Sequence, residues 1–289
     1  MEVHDRGHSA NMSALLKPRA AWLVVPALLF IIVIFVIPVV SILTRSVTTP
    51  PGGLYYYQDF FTTSGYLKVL ANTVRLGVIV TTITLMLGMP YAYILATARP
   101  RRQRVLTTIL LVPLWTSWLV SGYAWLTLLS PSGPVNKALL GLGIVDAPVT
   151  LTGNLFGVVV AMVQILLPYM VLPLFAVMRT VDARLIPAAR SLGAPGFAAF
   201  RTVYLPQILP GLAGGCLLVF IVTCGYYVIP ALLGGAQNTM LGELIATEIS
   251  SLLNWGLGTA MAAVLLVATF VLMALFSRVV RTSDPGSLL

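Results

Sequence analysis

The residue types that most often carry chemistry are few in this chain, and their spacing argues against catalysis. Cys216 and Cys224 lie eight positions apart in an apolar run, with no CxxC spacing and no neighbouring His or acid. Two thiols so placed are buried side chains, not half of a zinc or redox site. His4 and His8 share the i, i+4 spacing of a helical metal pair, but they sit in a polar tail beside Gly7 and Asn11 that completes no ligand set. Glu243 and Glu248 are five residues apart, a helical separation of roughly 140° that puts them on different faces. No G-x-x-x-x-G-K-[ST] phosphate loop, G-x-S-x-G elbow or H-E-x-x-H pair occurs. The sequence offers no nucleophile, no metal site and no nucleotide cradle of its own.

Of the 289 residues, 58% are hydrophobic and 9% charged, and the mean hydropathy is +0.97. Soluble domains carry roughly a quarter charged residues, so a membrane class follows. The net charge of +9 would suit nucleic-acid binding in a soluble protein. Here the basic residues fall in short segments between apolar runs, where they orient membrane helices. We therefore expect membrane lipid as a partner, and no nucleic acid.

Apolar runs near the roughly 20 residues needed to cross a bilayer are expected at 20–43, 69–98, 105–129, 155–178, 211–233 and 257–280, giving about six spans in an all-α integral membrane protein. The first run is too long for a signal-peptide core and no A-x-A-like site follows it before Arg45, so it reads as a retained span. Six spans place the polar tail 1–19 and the tail 281–289 on one face. Thirteen of the 17 basic residues share that face, among them Arg99, Arg101, Arg102 and Arg104. The positive-inside rule makes it cytoplasmic. The expected organisation is a tail at 1–19, a membrane domain over 20–280 and a tail at 281–289.

Between the fourth and fifth spans, 182–210 is too charged to span and too apolar for a solvated loop. Pro187 suits a first helical turn, and Ala188, Ala189, Arg190, Ser191 and Leu192 can follow it. Gly193 and the Pro195-Gly196 pair then break the chain. A second short helix follows, with an apolar face expected from Phe197, Phe200 and Tyr204, before Pro206 and Pro210. Two short helices on a glycine hinge suit either a protrusion that enters a partner's groove or an interfacial loop packed on its own bundle.

This pattern closely resembles the EAA loop of type I ABC importer permeases, of the form E-A-A-x-x-x-G, then an aromatic, a hydrophobic run and L-P. Ala188, Ala189, Gly193, Phe200, Leu205 and Pro206 occupy the matching positions, with Ala194, Phe197 and Arg201 between them. Pro187 stands where the motif has its glutamate, and Ser191 where an acid often follows. The resemblance extends over about 20–280, through NTVRLGVIVTTITLMLGMPYAYILA, LVPLWTSWLVSGYAWLTLLSPSGPVN, LLPYMVLPLFAVM and VIPALLGGAQNTMLGELI. These stretches look like the spermidine/putrescine-type permease subfamily.

The resemblance implies a type I ABC importer (MetI-like) permease fold and a non-catalytic subunit of the bacterial inner membrane. It also implies a second homologous permease subunit, two ATP-binding cassette subunits that use ATP and Mg2+, and an extracytoplasmic substrate-binding protein. No cofactor is expected on this chain. If the cargo is a polyamine, carboxylates and aromatic faces would hold its ammonium groups. Tyr123, Trp125, Tyr226, Tyr227, Glu243 and Glu248 are the candidates, against a plainer reading as packing aromatics and solvated outer-loop acids. Arg75 in the second span would repel such a cargo if it faced the pathway, and otherwise snorkels to the interface. Competing readings are an importer of another small solute, such as an amino-acid derivative or an anion, and an ion-coupled secondary transporter. The latter calls for inverted repeats and buried ionisable residues at mid-membrane.

Overall fold

A computed structural model describes residues 25–26, 28–182 and 184–282, with side chains as far as residue 275. The 1–19 tail with His4 and His8, the opening of the expected first span, and residues 283–289 of the C-terminal tail lie outside the described residues. Every regular element among the described residues is helical. Among the described residues, five helices are long and apolar enough to cross a membrane, and a sharply bent helix pair brings the number to six if it counts as one span.

The first span, α1, runs Leu28–Thr48, past its expected end at 43. Its charged last turn is held in place: the Arg45 guanidinium lies 5.5 Å from the Trp255 ring centroid, and the Ser46 and Tyr57 hydroxyls share a 2.7 Å hydrogen bond. A π-turn at Ile32–Val36 precedes Pro38, next to the ring that cannot donate a helical hydrogen bond. The short α2 (Tyr55–Thr62) leads into α3, Ser64–Thr97.

The third span is not the single run expected over 105–129. It consists of α4 (Pro100–Trp115) and α5 (Trp118–Leu129), and the chain bends by 100° between them. Thr116 is extended and Ser117 is non-helical at the bend; their side chains favour helix ends by competing for backbone groups. Within α6 (Pro134–Gly141), the buried Asn136 closes the excursion. Its amide donates to the Ser130 and Val149 carbonyls at 3.0 Å, and its oxygen accepts from Val149 N–H at 2.8 Å.

The fourth span, α7, occupies Leu155–Met178, as expected, with Asn154 capping it by accepting from Gly157 N–H at 3.1 Å. The short α8 (Leu185–Ser191) comes next. The fifth span, α9, begins earlier and ends earlier than the expected 211–233, running Gly196–Gly225. It stops at Tyr226, which is extended, and α10 restarts at Val228–Leu233. Pro230 explains the break, because in a continuous helix its ring would strike the Tyr226 carbonyl four residues back. The stretch after α10, expected as a connection, contains a ten-residue helix, α11 (Leu241–Ser250), and α12 (Trp255–Thr282) closes the fold.

Helices α3, α7 and α9 pack against one another to form the core, and α12 joins α1 to α9 and α11. α7 is apolar on all sides, with thirteen of its 24 residues buried, as befits a membrane helix enclosed by others. Lipid is as apolar as leucine, so small residues that let backbones approach drive such packing. A Cβ added at Gly211 would lie 2.9 Å from Val177 Cβ and 3.0 Å from the Pro173 carbonyl oxygen. One added at Gly215 would lie 2.9 Å from Met170 Sδ and 3.0 Å from its carbonyl oxygen. Gly211→Ala and Gly215→Ala should each cost about 1–3 kcal/mol by overpacking, read as a lowered midpoint of thermal unfolding in detergent. Unchanged midpoints for both would contradict this contact between α7 and α9.

Candidate functional site

The 182–210 segment folds as two helical arms on a capped elbow. Past α7, the Asp182 carboxylate accepts the Arg184 N–H at 2.9 Å and turns the chain into α8. Pro187 is the third residue of α8, within the first turn where no N–H is required. The Gly193 N–H donates to the Arg190 carbonyl at 3.0 Å, and the Ala194 N–H to the Ala189 carbonyl at 3.1 Å. These two bonds form a Schellman cap, whose left-handed residue is Gly193 at φ 89°. A side chain there costs about 1–2 kcal/mol, which accounts for glycine at the hinge position.

The second arm is the first turn of α9, including a π-turn at Phe200–Tyr204, so the arm and the fifth span are one helix. Tyr204 is buried and meets Tyr93 of α3 edge-on at 6.0 Å, with Phe200 beside it at 5.5 Å. Both line a groove of about 230 Å³ with Met89, Pro90 and Met178. Phe197 does not share this face, contrary to the sequence expectation: it is 78% exposed, because the arm's first turn projects past the ends of α3 and α7. Leu192, absent from the expected site, is 90% exposed beside Gly193. Pro187, Ala188, Gly193, Arg201 and Pro206 are exposed, while Ala189, Ala194 and Leu205 are partly covered. The elbow thus presents two bare apolar side chains, Leu192 and Phe197, framed by small residues and by the guanidiniums of Arg190 and Arg201.

The candidate pathway residues fall into two groups. Tyr226 and Tyr227 sit at the break between α9 and α10, which adjoins the break between α4 and α5. Trp118 lies 5.2 Å from Tyr226, ring to ring. An open cavity of about 400 Å³ is lined by Thr116, Ser117, Trp118, Leu119, Tyr227 and Val228. Tyr123 is exposed on α5, whereas Trp125 turns to α7 and donates to Gln164 Oε1 at 3.3 Å. Hydropathy reading missed Trp118; the signal it overlooked was the Thr116-Ser117 pair inside an apolar run.

Glu243 and Glu248 do not line this cavity; both lie on α11. Glu243 is in the first helical turn, its carboxylate bonded by the Met240 backbone N–H, as in half of a capping box. Burial raises its pKa above the ordinary carboxylate value, and the Met240 bond partly opposes the rise. Glu248 is 7% exposed, which corrects the picture of a solvated outer-loop acid: α11 folds back and packs on α12 at Gly258. Arg75 lies on the exposed side of α3. Cys216 and Cys224 are buried free thiols.

A bundle of membrane-length apolar helices, with a sharply bent helix pair and a protruding elbow before the last-but-one span, defines an integral membrane protein. The chain belongs to the family described as binding-protein-dependent transport system inner membrane component, whose model matches residues 85–286. It is therefore an integral inner-membrane permease component of a binding-protein-dependent ABC importer. It is similar to the spermidine/putrescine transport system permease protein PotB of Haemophilus influenzae, at 34% identity over 213 residues, 74% of each protein. Among solved structures, it superposes on a chain of a bacterial alginate ABC transporter bound to its periplasmic protein. That match has a TM-score of 0.72, 16% identity and coverage of 95% of this chain and 98% of the other. A chain of the MetNI methionine ABC transporter matches at a TM-score of 0.58 and 18% identity, covering 76% and 99%. These superpositions show the type I importer (MetI-like) fold.

The elbow geometry is directly testable. Gly193→Val should destabilise the cap by ~1–2 kcal/mol, speeding hydrogen exchange at the Ala194 amide roughly 5- to 30-fold. Exchange as slow as in the parent would show that the cap does not depend on glycine.

Proposed function

We propose that this permease forms half of the pathway of an ATP-driven importer, that the 182–210 elbow docks on an ATP-binding cassette subunit, and that the cargo is a polyamine. The observation that carries the docking role is the elbow itself: a capped turn holding Leu192 and Phe197 in the open, on a helix that continues as the fifth span. Apolar anchors of this kind, set among small residues, suit a groove on a partner. Pro187 in place of the motif glutamate means the contact rests on shape and apolar docking. ATP and Mg2+ would be used by that partner, with none held on this chain.

Two such permeases, in a heterodimer, would enclose the route, and an extracytoplasmic binding protein would deliver the solute. ATP binding would draw the cassettes together and move the elbow, switching the bundle between two packed states. The pathway would include Tyr123, Tyr226 and Tyr227 with Trp118, whose rings suit ammonium groups through cation–π attraction. Glu243 and Glu248 serve α11 more directly, as a helix cap and a buried support. A cytoplasmic elbow is supported by the Tyr93–Tyr204 contact, which brings the elbow to the same end of the bundle as Arg99, Arg101, Arg102 and Arg104, and six spans would put both termini on that face as well. The polyamine assignment is supported by the likeness to PotB.

Leu192→Asp and Phe197→Asp, introduced together, should leave membrane insertion intact and lower cargo-stimulated ATPase activity of the assembled importer at least about tenfold, as loss of interface anchors does. Undiminished stimulation would exclude the elbow as the docking element. For the cargo, mass spectrometry of the ligand held by the partner binding protein should find spermidine or putrescine. A sugar or metal oxyanion there would overturn the assignment.

A further inference from the structure

We propose that the corner between α3 and α4 is a binding site for an anionic phospholipid, with the headgroup phosphate held by Arg99, Arg101 and Arg102. The helices meet at Ala98-Arg99, both extended, and the V between them opens into a cavity of about 990 Å³. Its polar rim is three guanidiniums. Its walls are Ile94 and Leu106 with Val105, and Ile94 and Val105 are 54% and 56% exposed. The Tyr91 hydroxyl donates to the Leu106 carbonyl at 2.9 Å and holds the two helices together beside the cavity.

Charge complementarity selects the occupant. Neither α3 nor α4 contains an acidic residue, and among the described residues no carboxylate is paired with these arginines. Three cations in three of four consecutive positions therefore lack an internal counter-ion. α4 also begins at this corner without a side-chain cap, adding first-turn N–H groups that favour an anion. The exposed aliphatic wall separates a lipid from a soluble phosphate: an inorganic or nucleotide phosphate needs the guanidiniums alone, whereas an acyl chain also covers Ile94 and Val105. The corner lies where the end of the long apolar α3 meets the start of α4, the position at which basic pockets between membrane helices take anionic lipid. This inference requires that α3 and α4 reach a bilayer surface. It is independent of which leaflet that is and of the elbow's docking role.

Native mass spectrometry of the full chain, purified in detergent and offered phosphatidylglycerol or phosphatidylcholine with identical acyl chains, tests it without reference to transport. The parent should retain phosphatidylglycerol more than about tenfold better, and Arg99→Gln/Arg101→Gln/Arg102→Gln should weaken that retention on the order of a hundredfold. The charge-matched Lys68→Gln/Arg75→Gln/Lys137→Gln should keep the preference. Val105→Trp, which fills the cavity and leaves every charge in place, should weaken retention as well, and it decides the matter if the arginine variant fails to fold. Glycerol phosphate at millimolar concentration should not displace the lipid. Equal retention of both lipids, a preference that survives both the arginine variant and Val105→Trp, or displacement by glycerol phosphate would overturn the proposal.

Discussion

Close approach of backbones in a solvent that does not favour it underlies this structure. Water drives soluble helices together, whereas lipid gives no such push, so α3, α7 and α9 depend on contact over distances that only small residues permit. Gly211 and Gly215 let α9 settle on α7 at Pro173, Val177 and Met170, and Gly88 of α3 meets Met170 from the other side. With α7 enclosed this way, α5 and α10 have a fixed wall to pack on, and the two helix breaks come to lie side by side. The aromatic cavity is thus a consequence of the glycine contacts some turns away.

Backbone satisfaction is the second constraint. Non-helical backbone at membrane depth persists only where protein or a wet cavity covers it. The breaks at Thr116-Ser117 and Tyr226-Tyr227 meet that condition jointly, since Trp118 lies on Tyr226 and the cavity opens between them. The protruding elbow obeys the same rule at the membrane edge, where the Schellman cap satisfies the carbonyls that α8 leaves behind.

Much of this was legible in the amino-acid order, and the exceptions have physical reasons. α7 matches its expected bounds because a polar cap and a charged exit bound one uniform run. The third and fifth spans depart from their hydropathy profile because hydropathy averages over a window and registers composition, whereas a break depends on the backbone of two residues. Pro230 and the Thr-Ser pair carried the information, in conformational form. In the elbow, Ala188, Ala189 and Gly193 stood out because a glycine hinge has a local signature. Leu192 did not, since a leucine among apolar neighbours gives no sign of whether it faces inward or out. Glu248 shows the reverse: a carboxylate reads as solvated until the fold-back of α11 onto α12 is known.

The continuity of α9 has a mechanical consequence. Thirty residues of continuous helix, Gly196–Gly225, with a π-turn at Phe200–Tyr204, form a rod roughly 45 Å long with the glycine elbow at one end and the tyrosine pair at the other. Pivoted near its base, such a rod converts a tilt of about 5° into a sweep of roughly 4 Å at its tip, comparable to the width of an aromatic ring. On the proposed docking role, small angular work at the elbow would be geared up into displacement of the aromatic pair at the other end, with the stiffness of the helix setting the gearing.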